Sequence, residues 1–220
     1  MHSGDLATSA DLVSAVRLLR SERLLDWTGG ALSARGKDAM LISRGGAARK
    51  FWLLDDNDIM SWPYSGVPHE SAPRPPLGVA VHQCVYRHFP WCTAVVHSHA
   101  GDCFLTSCLS TGLKASPPTE TLGEIPNLGD SKGGSGGAGT SGGLSIIRRA
   151  ERERDVLLPQ IVELAEQRGG EMAEHGLAFL DHGHGIYVLG RSLSEALTDL
   201  AKAEAGCRLW TLRSAQRTQF

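Results

Sequence analysis

Between Ser9 and Leu25 the apolar residues Leu12, Val13, Val16, Leu19 and Leu24 fall at helical spacing, which predicts an amphipathic helix over 9–25 capped by Ser9 or Asp11. The period then shortens. "ALSAR" and "AMLISR", joined by "GKD", predict a hairpin, and "GGAARKFWLLDDNDIM" reads as a glycine turn, an apolar stretch and an acidic turn ahead of Ile59. From Pro76 to Phe89, "PLGVAVHQCVYRHF" predicts a helix begun by proline. "TAVVHSH" follows as a buried strand, because a short apolar run rich in β-branched residues suits a sheet interior. Further on, "LLPQIVELAEQRGG" predicts a helix with Pro159 near its start and glycines at its stop, and "GLAFLDHGHGIYVLG" a strand, a turn and a strand. Ser192 and Glu195 have capping-box spacing ahead of a last helix through "EALTDLAKAEAGCRLWTLRSA". The alternation is that of an α/β or α+β protein, with no internal repeat.

Composition narrows the function classes. The 220 residues suit a single domain over 1–220, and a formal charge of −2 gives no electrostatic reason for a nucleic-acid or membrane partner, so a small-molecule substrate fits better. The first 25 residues scatter acids and arginines through the apolar positions, which argues against a signal peptide or anchor and for a cytoplasmic protein. Cys84, Cys92, Cys103, Cys108 and Cys207 contain no C-x-x-C pair, and their odd number suits small core residues in a reducing compartment. Residues 129–143 carry eight glycines, a composition that buries little and predicts a flexible loop. A phosphate cradle is the alternative for that loop, but the G-x-x-x-x-G-K-[ST] pattern is absent.

The candidate chemistry lies in the histidines. In "AVVHSHA", His97 and His99 are two residues apart, and side chains at i and i+2 leave the same face of a strand, so both imidazoles can aim at one point. A metal site and the wet end of a strand are both compatible with that spacing. "DHGHG" adds His182 and His184 in a glycine-flanked turn, from which one ligand can complete a three-histidine site with an open position for a substrate oxygen. His82 and His88 lie in the predicted second helix as packed or solvated residues, while His2, His69 and His175 belong to no pattern.

Together these residues resemble the class II aldolase and adducin family. "AVVHSHA" resembles its "avvHtHs" strand and "FLDHGHGIYVLGRSLSEAL" its "llrnHGlyvwGksleeA" segment; aligning the latter on its glycines places His184, not His182, on the third ligand. "TGGALSAR" and "MLISRGGAARKFWLLDDNDIM" resemble the family's two phosphate-gripping loops. The resemblance implies a three-layer α/β/α fold around a mostly antiparallel sheet, and a homotetramer with active sites between subunits. It also implies a divalent metal, most commonly Zn2+ with Mn2+ or Fe2+ as alternatives, held by His97, His99 and His184.

The departures from that pattern are as informative. Sugar-phosphate aldolases of the family place a carboxylate where this chain has Gly78, and Glu70 lies eight residues earlier. The methylthioribulose-1-phosphate dehydratase branch, which this chain resembles more closely, uses a glutamate after the H-x-H strand. Glu120 in "PPTETLGEIP" falls near that place as general acid/base, with Glu124 second and a solvated glutamate as the alternative. In the phosphate loops, Gly30 and Ala31 stand for glycine-asparagine, Gly45 and Gly46 for serine-glycine, and Pro76 and Leu77 for paired serines. Backbone N–H groups at Gly30, Gly45 and Gly46, with Arg44, Arg49 or Lys50, remain to hold an anion. The expected function is a metal-dependent lyase, a dehydratase or aldolase type, working through an enediolate on a small hydroxy-carbonyl substrate such as a specialised sugar or sugar phosphate. The rivals are Fe(II)-dependent oxidative or decarboxylating chemistry on the same triad and an adducin-like non-catalytic module.

Overall fold

The computed structural model describes residues 7–25, 30–44, 53–68, 73–109, 119–121, 145–147, 158–159, 161–163, 166, 176–181 and 183–217. Helix α1 spans Ser9–Ser21, and the strands are β1 (Gly30–Arg35), β2 (Met40–Ser43), β3 (Ile59–Trp62), β4 (Ala94–Ser98), β5 (Thr119–Thr121), β6 (Ser145–Ile147), β7 (Leu177–Asp181) and β8 (Gly185–Gly190). Helices α2 (Val79–His88), α3 (Gly101–Leu109) and α4 (Leu193–Arg217) are also described, with a short 3-10 helix over Asp56–Asp58 ahead of β3. The expected glycine-rich loop at 129–143 lies outside the described residues, as do Gly45, Gly46, Arg49, Lys50, Glu70, Glu124 and His182, and His2, His69 and His175.

The strands form one eight-stranded sheet in the order β3-β2-β1-β4-β8-β7-β6-β5. Every neighbouring pair is antiparallel except β6 with β7. The predicted hairpin is present as β1 and β2, with Ser33 opposite Ile42 and Arg35 opposite Met40. Central strands β4 and β8 are buried along their whole lengths, as expected of strands covered on both faces. Alternation then divides the core. Leu32, Ala34, Ala94, Val96, Ile186 and Val188 face α1, α3 and α4, whereas Val95, Phe179, Tyr187 and Leu189 face α2 and Ile161. This is the three-layer α/β/α arrangement that the family resemblance implied.

The helix ends differ from expectation in detail. Thr8, rather than Ser9 or Asp11, caps α1: its hydroxyl accepts the Asp11 N–H at 3.3 Å, and its own N–H donates to the Asp11 carboxylate at 2.7 Å. The helix stops at Ser21, not Leu25. Arg23 turns left-handed at φ 59°, the Leu24 N–H donates to the Leu19 carbonyl at 2.8 Å, and Leu24 folds into the core beyond the helix. Pro76 does not open α2 itself but accepts the Val79 N–H in the preceding turn, leaving Gly78 as the cap. At α4 the Ser192 hydroxyl accepts the Glu195 N–H at 3.1 Å, while the Glu195 carboxylate reaches one residue further back to the Arg191 N–H at 2.5 Å. The five cysteines form no disulfide among the described residues, and four of them are buried, consistent with their reading as core residues. Among the described residues no helix is long and apolar enough to cross a membrane.

Candidate metal centre

The sheet register brings the ends of β4 and β8 together, with His97 opposite Tyr187 and Ser98 opposite Ile186, so the turn carrying His184 lies beside the H-S-H triplet. One ring nitrogen from each of His97, His99 and His184 lies within 4.8 Å of the others. His97 lies near the end of the buried strand and is only 4% exposed, while His99 follows the strand and is half-buried. Ser98 points to the opposite face, where its hydroxyl donates to the Leu24 carbonyl and accepts the Ala100 N–H at 3.0 Å. The serine thus anchors the backbone between the two imidazoles.

The hydrogen bonds define which nitrogens are available. His97 Nδ1 lies 3.1 Å from the Ile186 carbonyl, which can only accept, so Nδ1 carries the proton and Nε2 keeps its lone pair. His184 Nδ1 donates to Oδ2 of the fully buried Asp181 at 3.1 Å, and the His184 N–H closes a turn on the Asp181 carbonyl at 2.9 Å. A carboxylate behind an imidazole fixes its tautomer and raises its basicity as a ligand. Burial, and secondarily the neighbouring His99 and His184, hold His97 well below the ordinary histidine range, so it is neutral at pH 7.

The donor set fits a divalent ion. His97 Nε2 and His99 Nε2 lie 3.0 Å apart, close to the roughly 3.3 Å that two nitrogen ligands of a tetrahedral zinc require. Without a cation, a proton on His99 must bridge two nitrogens that otherwise oppose lone pairs. The third ring is 32% exposed at its side chain, which leaves the cluster open on one side.

Glycines make the close packing possible. A Cβ on Gly185 would lie 2.3 Å from the Ser98 carbonyl and 3.0 Å from the His99 ring, and its φ of +131° also requires glycine. Gly30, expected in substrate binding, starts β1 beside the cluster, where a Cβ would come within 2.5 Å of the His97 carbonyl. Gly78 has a similar constraint: a Cβ there would meet the Tyr187 hydroxyl at 2.7 Å, so this position has no room for a side chain without displacing the phenol.

The sheet does not bring Glu120 to the histidines within one chain. Glu120 on β5 pairs with Ile146 on β6, Ile146 with Leu180 on β7, Leu180 with Ile186 on β8, and Ile186 with Ser98 on β4. Four strand spacings, roughly 19 Å, separate Glu120 from β4, which carries His97 and leads to His99, far beyond the reach of a glutamate. Sequence reasoning missed Asp181, Tyr187 and Glu204. An acid three residues before a histidine in a glycine turn was the one available signal for Asp181, whereas the other two depend on partners distant in the chain. Glu204 on α4 accepts the Asp102 and Cys103 N–H groups at 2.9 and 2.8 Å and so caps α3 directly behind His99.

Comparison with known proteins agrees with this arrangement. The chain is 27% identical over 188 residues to methylthioribulose-1-phosphate dehydratase of Gluconobacter oxydans (strain 621H), covering 80% of this chain and 78% of the relative. Its fold is similar to that of L-fuculose-1-phosphate aldolase from Thermus thermophilus, with a TM-score of 0.68 at 18% identity over 96% of this chain and 95% of the other. YgbL from Escherichia coli gives a TM-score of 0.68 at 20% identity, over 93% and 88% of the two chains. The sequence model described as the class II aldolase and adducin N-terminal domain matches residues 10–211. With nearly the whole chain matched, and with the sheet order carrying the three histidines to one point, this protein belongs to the class II aldolase and adducin family.

Proposed function

We propose that this chain is a metal-dependent lyase that acts on a small hydroxy-carbonyl substrate of the sugar-phosphate type, by dehydration or carbon–carbon cleavage. The observation that carries this reading is the convergence of His97, His99 and His184, with Nδ1 of His97 and of His184 already engaged by protein acceptors. The similarity to a dehydratase and to the fold of an aldolase supports the lyase class. His97, His99 and His184 would hold a divalent ion, Zn2+ foremost with Mn2+ or Fe2+ as alternatives, which would supply Lewis acidity toward a substrate carbonyl oxygen.

The protein's own part is positioning and proton transfer. Ile186 and Asp181 fix the rings of His97 and His184, and the exposed side of the cluster admits the substrate. Gly30, with Gly45 and Gly46, offers backbone N–H groups to the anionic end of the substrate. Glu120 moves the proton, and because it lies across the sheet from the histidines of its own chain it serves the cluster of a neighbouring subunit in a homotetramer. Gly78 leaves no carboxylate at the cap of α2, the position that carries one in the sugar-phosphate aldolases, which favours elimination over aldol cleavage.

The test is a turnover assay by NMR with methylthioribulose 1-phosphate and L-fuculose 1-phosphate as probes, distinguishing loss of water from carbon–carbon cleavage. Turnover of either, falling at least about 100-fold in Glu120→Gln while bound metal is retained, is the expected result. Full turnover in Glu120→Gln removes that residue from the mechanism, and full turnover in His97→Ala contradicts the reading as a whole.

A further inference from the structure

Phe179 and Tyr187 behind the cluster continue the stack of two of its own histidines, so that four near-parallel rings follow one another. Phe179 on β7 is the direct cross-strand partner of Tyr187 on β8, and Tyr187 is that of His97 on β4, so all three side chains leave the same face. The Phe179 and Tyr187 ring centroids are 5.3 Å apart at 19°, and those of Tyr187 and His97 are 4.1 Å apart at 16°. His184 continues the series, 4.8 Å from His97 at 21°. Phe179 and Tyr187 are completely buried.

The hydrogen bond to the Ile186 carbonyl fixes one atom of the His97 ring but leaves the ring plane free to tilt about that contact. A flat neighbour at 4.1 Å removes this tilt, because rotating the imidazole out of plane drives its edge into the phenol face. Tyr187 is itself restrained from two other sides. His82 meets it nearly edge-on, at 6.2 Å and 70°, and the backbone of Gly78 accommodates its hydroxyl, which a Cβ would approach to 2.7 Å. The next Tyr187 atom from that Cβ is Cζ, at 3.8 Å, an ordinary van der Waals distance.

We propose that Tyr187 is a positioning residue of the metal centre, whose ring sets the plane of the His97 imidazole, and that Gly78 is the glycine that makes room for its hydroxyl. The proposal rests on the reading of the three histidines as a metal centre. It assigns no proton transfer to the buried phenol. It explains why Gly78, the cap of α2, carries no side chain: the volume is occupied by a tyrosine from β8.

The experiment is a cobalt titration of the full-length, metal-free protein, following the visible d–d spectrum and the affinity by competition with a chelator. Variants Y187F, Y187L, G78A and the Y187F/G78A double are compared, with near-ultraviolet circular dichroism to confirm native packing. Tyr187→Phe keeps the ring and is expected within about threefold of wild type, whereas Tyr187→Leu is expected to lose about 10- to 100-fold in cobalt affinity, with an altered spectrum. Gly78→Ala is expected to weaken cobalt binding in the wild-type background and to have little effect in Y187F, where the clashing oxygen is gone. Wild-type affinity and spectrum in Y187L overturn the proposal. So does an equal loss on Gly78→Ala in both backgrounds, a comparison that stands even where leucine at 187 prevents folding. A wild-type protein that takes up no cobalt overturns the metal-centre reading and this inference with it.

Discussion

The serine of the H-S-H triplet and the glycine after His184 hold the cluster as firmly as the histidines themselves. Ser98 ties β4 to Leu24 on the far face, and Gly185 lets the turn pass within contact of the Ser98 carbonyl. Gly185→Ala combines a strained positive φ with a backbone clash, so it is expected to destabilise the fold by about 3 kcal/mol or more in urea unfolding. An unchanged midpoint contradicts the packing described. Asp181→Ala leaves His184 Nδ1 without its acceptor and is expected to weaken metal affinity by about 10- to 100-fold. His82 governs a different property. Its Nδ1 is bonded to the Ser33 hydroxyl at 2.7 Å, its Nε2 has no partner among the described residues, and burial pushes its pKa down to about 3. Below about pH 6.5 the unfolded chain gains a proton there that the folded chain refuses, so stability present above 6.5 is lost towards 3 at roughly 1.4 kcal/mol per pH unit. With chelator present throughout, the stability gap between wild type and His82→Gln is expected to narrow by about 2 kcal/mol from pH 7 to 5. A constant gap contradicts a buried neutral histidine.

Helix α3 begins two residues after His99, and its first N–H groups are satisfied by a carboxylate from another helix rather than by a local cap. Glu204→Ala is expected to cost about 1–3 kcal/mol in chemical denaturation, since two charge-assisted hydrogen bonds are lost at a helix start. A loss below about 0.5 kcal/mol contradicts that role. The contrast between Glu204 and Thr8 shows what was legible in the sequence. Strands β4 and β8 and the β1–β2 hairpin follow from local alternation and turn residues and are present where expected, while the choice of His184 as partner of His97 and His99 rests on the family resemblance, and the fold brings the three side chains together. Strand β3, Ile59–Trp62, was not foreseen, because its four residues alternate too briefly to establish a period. Arg23 stops α1 early in a left-handed turn usually given to glycine, which hid the helix end. Glu204 and Tyr187 act through contacts that only the folded sheet and helices create, and residue spacing carries no mark of them, whereas Asp181 lies three residues before His184 and left that one local trace.

At the scale of the molecule, the three histidines lie at the ends of β4 and β8 near the middle of the sheet, and Glu120 on the edge strand β5. This separation makes subunit sharing testable. Glu120→Gln and His97→Ala proteins are each expected to be inactive alone. Unfolded together and refolded at equal ratio, they are expected to regain about a quarter of wild-type activity, because random mixing pairs an intact triad with an intact glutamate in that share of the sites. No recovery from a mixture that forms hybrids contradicts Glu120 acting across subunits. The central claim, that the histidines are a metal centre rather than the wet end of a strand, is tested most directly by elemental analysis. The protein is purified without chelator or histidine tag beside His97→Ala and His184→Ala. About one zinc, manganese or iron per wild-type chain, lost in both variants, is the predicted result; wild-type protein that holds no metal even after reconstitution contradicts it.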